Sequence, residues 1–145
     1  MSGTTGGIVL GFDGSEGAKA ALTEALVIAK ALGASIRLAF GFEPPAFYAG
    51  EPTGQRDAIE EIGNTTLQEG LDLAKATDAS VEVTAETVAG RPADALIAMA
   101  ERDHARMIVV GHHGGSTVMG AILGSVTFKV LQTAPCPVLV VSAEG

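Results

Sequence analysis

The stretch Met107-Ile108-Val109-Val110-Gly111-His112-His113-Gly114, followed after nine residues by Gly124-Ser125-Val126-Thr127, decides the reading of this chain. An apolar run, Met107 to Val110, reads as a buried strand that runs into glycines. A turn of small and hydroxyl-bearing residues then opens a helix. Glycines let backbone N–H groups approach a ligand closely. A helix start supplies unpaired N–H donors and a partial positive charge. Together they form an anion site suited to phosphate, the alternative being a glycine-rich surface loop.

Outward from this stretch, the chain alternates strands and helices. Ile8 to Phe12 is a short apolar strand ending at Asp13-Gly14-Ser15, a turn with Ser15 as N-cap. Ala18, Ala21, Leu22, Ala25, Leu26 and Ala29 recur at helical spacing, and Gly33 closes that helix. Ser35 to Phe42 reads as a second strand, stopped by Pro44-Pro45, with a loop to about Gln55 that holds Phe47 and Tyr48. A helix is expected over Arg56–Ala76, weakened by Gly63 and Gly70. Ser80 to Val88 alternates like a half-covered, edge-like strand. Gly90-Arg91-Pro92 opens a third helix. Met107–Val110 is the fourth strand, Ser125–Gln132 the fourth helix and Val138–Val141 the fifth strand. This order predicts one α/β domain, residues 7–145 after a flexible tail over residues 1–6, with a parallel sheet covered on both faces. Ligands bind such sheets beyond the carboxyl ends of the strands, where strand order reverses. Asp13, Gly41 and Gly111 all lie at or just past strand ends.

Composition narrows the functions. The chain has 145 residues, 47% of them hydrophobic, enough for a real core. A formal charge of −8 argues against nucleic-acid or anionic-membrane binding but leaves backbone amides free to bind phosphate. The lone Cys136 offers neither an internal disulfide nor a metal cluster and reads as a small packed residue. No apolar run spans a membrane and no signal peptide is evident, so the expected location is the cytoplasm. There is no G-x4-G-K-[ST] loop, no G-x-G-x-x-G in a first βα turn and no G-x-S-x-G elbow.

Several residues have alternative readings. Asp13 is a turn carboxylate or a group accepting from a ribose hydroxyl or adenine amine. His112 and His113 are a poor metal pair and read as loop residues, one of them turned toward phosphate. His104, beside Arg102 and Asp103, reads as a solvated helix end. Lys129 either serves the phosphate site or faces solvent. Val118, Met119, Ile122 and Leu123 cover a phosphate chain, form a partner surface, or dock on the sheet.

The pattern G-x2-G-x9-G-[ST] after a Val-rich strand resembles the nucleotide-binding signature of the universal stress protein family. The resemblance extends to Ile8-Val9-Leu10-Gly11-Phe12-Asp13-Gly14-Ser15 and to Ala134-Pro135-Cys136-Pro137-Val138-Leu139-Val140-Val141, and covers residues 7–142. It implies a doubly wound, Rossmann-like sheet of order 3-2-1-4-5 that binds ATP, with Mg2+ accompanying it. It places Gly11, Asp13 and Gly41 around the adenosine, Val110, Gly111, His113 and Gly114 in the glycine loop, and Gly124, Ser125, Val126 and Thr127 against the phosphates. Gly41 departs from the family, which usually has an apolar side chain there. The family often pairs its fifth strands, which implies a homodimer through Val138–Val141. The implied function is an ATP-binding stress-response module that signals to a protein partner. A slow ATPase and a nucleotide-free interaction scaffold are the alternatives.

Overall fold

The computed structural model describes residues 6–42, 53–112 and 124–143, with the side chains of residues 53–57 outside that description. The expected loop holding Phe47 and Tyr48, the site residues His113 and Gly114, and the apolar Val118, Met119, Ile122 and Leu123 lie outside the described residues. So does the tail up to residue 5.

The elements run β1 (Ile8–Gly11), α1 (Glu16–Leu32), β2 (Ile36–Phe42), α2 (Thr53–Asp78), β3 (Val83–Ala89), α3 (Pro92–Asp103), β4 (Met107–His112), α4 (Ser125–Thr133) and β5 (Val138–Ser142). The sheet has the order β3-β2-β1-β4-β5, and every neighbouring pair is parallel. Strand alternation divides the core in two. Ile8, Leu10, Leu38 and Val109 pack against Leu22 and Leu26 of α1 and Leu67 of α2. Val9, Ala39, Ile108 and Val110 face the other way, against Leu96 and Met99 of α3 and Val130 of α4. Each such side chain, fully buried, contributes about 1.5–3 kcal/mol.

Local sequence explains the element boundaries. Ser15 caps α1 by accepting the Ala18 N–H, and Gly33 ends it in the left-handed conformation (φ 68°). Pro92 begins α3. The two glycines of α2 are packing residues. A Cβ on Gly63 would lie 2.8 Å from the Phe40 ring, and one on Gly70 would lie 2.8 Å from Leu38, so the helix rests directly on the sheet there. β3 begins three residues later than the sequence implies, because Asp78 accepts from the Ser80 N–H and holds a turn at that point. α2 is longer at both ends than expected. β4 continues past Val110, since Gly111 pairs with Val141 and His112 with Ser142. Gly111 and His112 are therefore strand residues and not loop residues.

Candidate functional site

The chain turns left from β1 to β2 and right from β1 to β4, so the carboxyl ends of β1 and β4 part and leave a crevice of about 640 Å³. Its volume is that of a typical small-molecule site. Of the expected site residues, Gly11, Asp13, Gly41, Val110, Gly111, Gly124, Ser125, Val126 and Thr127 all line this one crevice. Elements far apart in sequence thus converge as the topology requires.

Three walls differ in chemistry. The β1–β2 side is apolar: Phe12, Ala39, Phe40 and Gly41, closed by Pro92 and Leu96 of α3. At Gly41, a Cβ would sit 2.8 Å from the Pro92 Cα, so the glycine allows the start of α3 to close over the end of β2. The β1–α1 turn brings Asp13 and Ser15. Asp13 Oδ1 accepts the Ser15 N–H at 2.9 Å, which fixes the carboxylate as an Asx turn while the residue lines the crevice. Asp13 is thus a turn carboxylate, as one of its two readings has it, and it lines the crevice.

The third wall is the start of α4. Gly124 is its N-cap, with no side-chain cap, and no acidic residue stands in the first turn. The Gly124 backbone (φ −67°, ψ 162°) is one that any residue adopts, and a Cβ built there meets nothing within 4 Å among the described residues. Neither its conformation nor its packing among the described residues requires glycine at this position. Thr127 is only 4% exposed, and its hydroxyl has no hydrogen-bond partner among the described residues. Buried hydroxyls are ordinarily paired, and an unpaired one costs about 1–3 kcal/mol. Gly111 differs from Gly124. A Cβ on it would overlap the Gly17 carbonyl, so its missing side chain serves the contact of α1 with β4 as well as the crevice.

Phe12, Ser15, Ala18, Ala39, Phe40, Pro92 and Leu96 also line the crevice without having stood out in the sequence, and His112, one of the two histidines expected near phosphate, lines it as well. His112 was within reach of sequence reasoning. It stands two residues after Val110 on the same strand and so shares its face.

Lys129 pairs with Asp94 at 3.5 Å, outside the crevice lining. Burial pushes the Cys136 thiol up, and the residue packs against the core on the α3 and α4 side. Arg102 and Asp103 belong to a charge network far from the crevice. Arg102 donates to both Glu86 oxygens at 3.0 Å and to Asp103 at 2.8 Å, and Arg37 donates to Asp103 at 2.9 Å. His104 is the left-handed C-cap of α3 (φ 51°). Among the described residues no three His, Cys, Asp or Glu side chains gather as a metal site, and no helix is long and apolar enough to cross a membrane.

Residues 6–142 match the universal stress protein family. The chain belongs to the universal stress protein family. A universal stress protein of Thermus aquaticus is 36% identical over 137 residues, spanning 92% of this chain and 96% of that one. Among solved structures, a universal stress protein in complex with cAMP is 31% identical, covers 96% of this chain and 98% of its own, and superposes with a TM-score of 0.71. A family member from Burkholderia pseudomallei is 27% identical, covers 97% and 98%, and gives a TM-score of 0.72. The family's doubly wound architecture is therefore that of this chain, and the crevice lies at its topological switch point.

Proposed function

We propose that the crevice holds an adenine nucleotide, with ATP as the physiological ligand, and that the protein is a stress-response module that reports nucleotide occupancy to a protein partner in the cytoplasm. The observation that carries this reading is the start of α4. Thr127 has a buried hydroxyl with no partner among the described residues, beside a glycine at position 124 around which the described residues leave open space. Gly124 and Ser125 would present N–H groups to phosphate oxygens, and the Ser125 and Thr127 hydroxyls would add donors. The apolar wall of Phe12, Ala39, Gly41, Pro92 and Leu96 suits a flat purine, and Asp13 stands where a ribose hydroxyl would be accepted. His113 and Gly114 complete the glycine loop in this reading. The relative in complex with cAMP supports an adenine ligand.

Asp13 is the one carboxylate lining the crevice among the described residues, and one of its oxygens is already engaged by Ser15. Its other oxygen would meet an accompanying Mg2+ directly or through water, with the remaining ligands from phosphates and solvent. Fast phosphoryl transfer needs metal clamps and a positioned base or water-orienting group. The described lining supplies none beyond Asp13 and His112, so the site is read as holding ATP and not turning it over rapidly. We further propose a homodimer paired along β5.

Mass spectrometry of nucleotide released from freshly purified protein, with titration calorimetry on the stripped protein, tests the reading. ATP is expected in the released fraction and rebinding is expected below millimolar concentration. Absence of binding up to millimolar ATP would leave the interaction scaffold as the better account. Steady turnover well above ~1 s⁻¹ would make the protein an enzyme instead.

A further inference from the structure

Val110 faces α3 and α4, Gly111 faces α1, and His112 follows Val110 onto the α4 side. Its backbone is fixed twice. It pairs with Ser142 of β5, and its carbonyl accepts the Ala143 N–H at 3.2 Å. A side chain on Gly17 of α1 would press on the His112 backbone at 3.1 Å, so the strand end has no room to shift toward α1. His112 is half-buried and lines the same crevice as Gly124, Ser125 and Thr127.

From this placement, and resting on the nucleotide reading above, we infer that His112 contacts the phosphate chain and couples nucleotide affinity to proton uptake. Imidazole is the side chain whose charge changes between pH 5 and 8. Asp13, from the β1–α1 turn, is the other titratable group in the described lining. On α1, Glu16 and Lys19 pair with each other at 3.7 Å. Asp94 of α3 and Lys129 of α4 do the same at 3.5 Å, and Arg91 caps α3 outside the lining. Val141 and Ser142, the neighbouring β5 residues, do not titrate in this range.

With His112 neutral, the described lining therefore carries one formal negative charge from Asp13. Protonation cancels it beside the α4 start, where the phosphates would lie. An anion within ~4–6 Å favours the charged imidazolium, typically by a unit or more. Polyphosphate ligands then bind more tightly as pH falls, whereas a ligand without phosphate gains nothing. The effect gives the site a preference for charged phosphate chains that the glycine loop alone does not supply.

Titration calorimetry with ATP and with adenosine, from pH 8.5 to 5.5, tests this on the native chain and on His112→Asn and His112→Arg. The ligand's own phosphate titration is common to all three proteins, so differences between them read the side chain. The ATP Kd of the native chain is expected to tighten about tenfold more over this range than that of His112→Asn. His112→Arg, with a fixed charge, is expected to bind tightly already at pH 8.5. Adenosine is expected to show no difference in pH dependence between native chain and variants. Equal ATP pH profiles in the native chain and either folded variant overturn the inference while nucleotide binding stands. Failure of the native chain to bind both ligands at every pH overturns the nucleotide reading itself, and the role of His112 with it.

Discussion

Glycines 111 and 124 belong to the same motif, yet their physical reasons differ. Gly111 has no room for a Cβ because the Gly17 carbonyl occupies that space, so its absence of side chain is already explained by the contact of α1 with β4. Gly124 has an ordinary backbone and, among the described residues, room for a Cβ, and the proposed ligand gives its missing side chain a role. Gly124→Val is accordingly expected to leave unliganded stability within about 1 kcal/mol, the scale of an N-cap change, while abolishing ATP binding measurable by calorimetry. A large loss of stability in that variant would show that the glycine serves the fold. Thr127→Val separates the same two roles by another route. Replacing a buried hydroxyl that has no partner among the described residues with a methyl is expected to leave thermal unfolding unchanged or raise stability by about 1 kcal/mol. A hydrogen bond to a charged oxygen is worth about 1.5–3 kcal/mol, so the same variant is expected to weaken ATP by about tenfold or more.

At the scale of elements, the carboxyl ends of the strands carry the crevice while a charge network ties β2, β3 and α3 together elsewhere. The hydrogen bonds from Arg102 hold the Glu86 and Asp103 carboxyls below their ordinary range, with Arg37 reinforcing both. A carboxylate depressed in the folded state adds stability that is present above its unfolded value, near 4, and lost as pH falls through the folded value. The side chains are roughly a third to a quarter exposed (Glu86 36%, Asp103 24%), so screening limits the network to about 1 kcal/mol. Urea unfolding of Arg102→Ala is expected to show a loss of that size at pH 7 that shrinks as pH falls below about 4. A constant difference across pH would assign the loss to packing.

The same scale shows what the sequence made legible. Apolar runs marked β1, β2, β4 and β5, because strands buried on both faces are rich in Val, Ile and Leu, while the polar–apolar alternation from Ser80 to Val88 marked β3 as an edge. Boundaries slipped where a side chain or a neighbour decided them: Asp78 delayed β3, and pairing with β5 carried β4 on to His112. The glycine motif and Asp13 were visible as local patterns. Pro92 and Leu96 were not, since only the strand order sets α3 against the end of β2. The pairing of Lys129 with Asp94 likewise depends on how α3 and α4 lie together.

At the scale of the whole molecule, the two edges of the sheet are unlike. β3 carries Glu86 in its charge network, with Thr84 and Thr87 beside it, the polar dress of an edge that avoids pairing. β5 reads Val138-Leu139-Val140-Val141 and has no charged residue. Its backbone register shows which groups are open to a partner. Ile108 N–H donates to the Pro137 carbonyl, and Ala143 N–H donates to the His112 carbonyl. In a parallel ladder the bonded residues alternate, so the backbone groups of Val138 and Val140 point away from β4. Two copies meeting along this edge would close around a two-fold axis, each satisfying the other. Val140→Pro removes one outward N–H without touching the β4 ladder, and proline is tolerated where the N–H faces outward. Sedimentation equilibrium is expected to give twice the mass of one chain for the native protein and a single chain for Val140→Pro, with the far-ultraviolet spectrum retained. A dimer that survives this substitution would place the interface elsewhere, with the exposed Phe128 and Leu131 of α4 as the next apolar surface to vary.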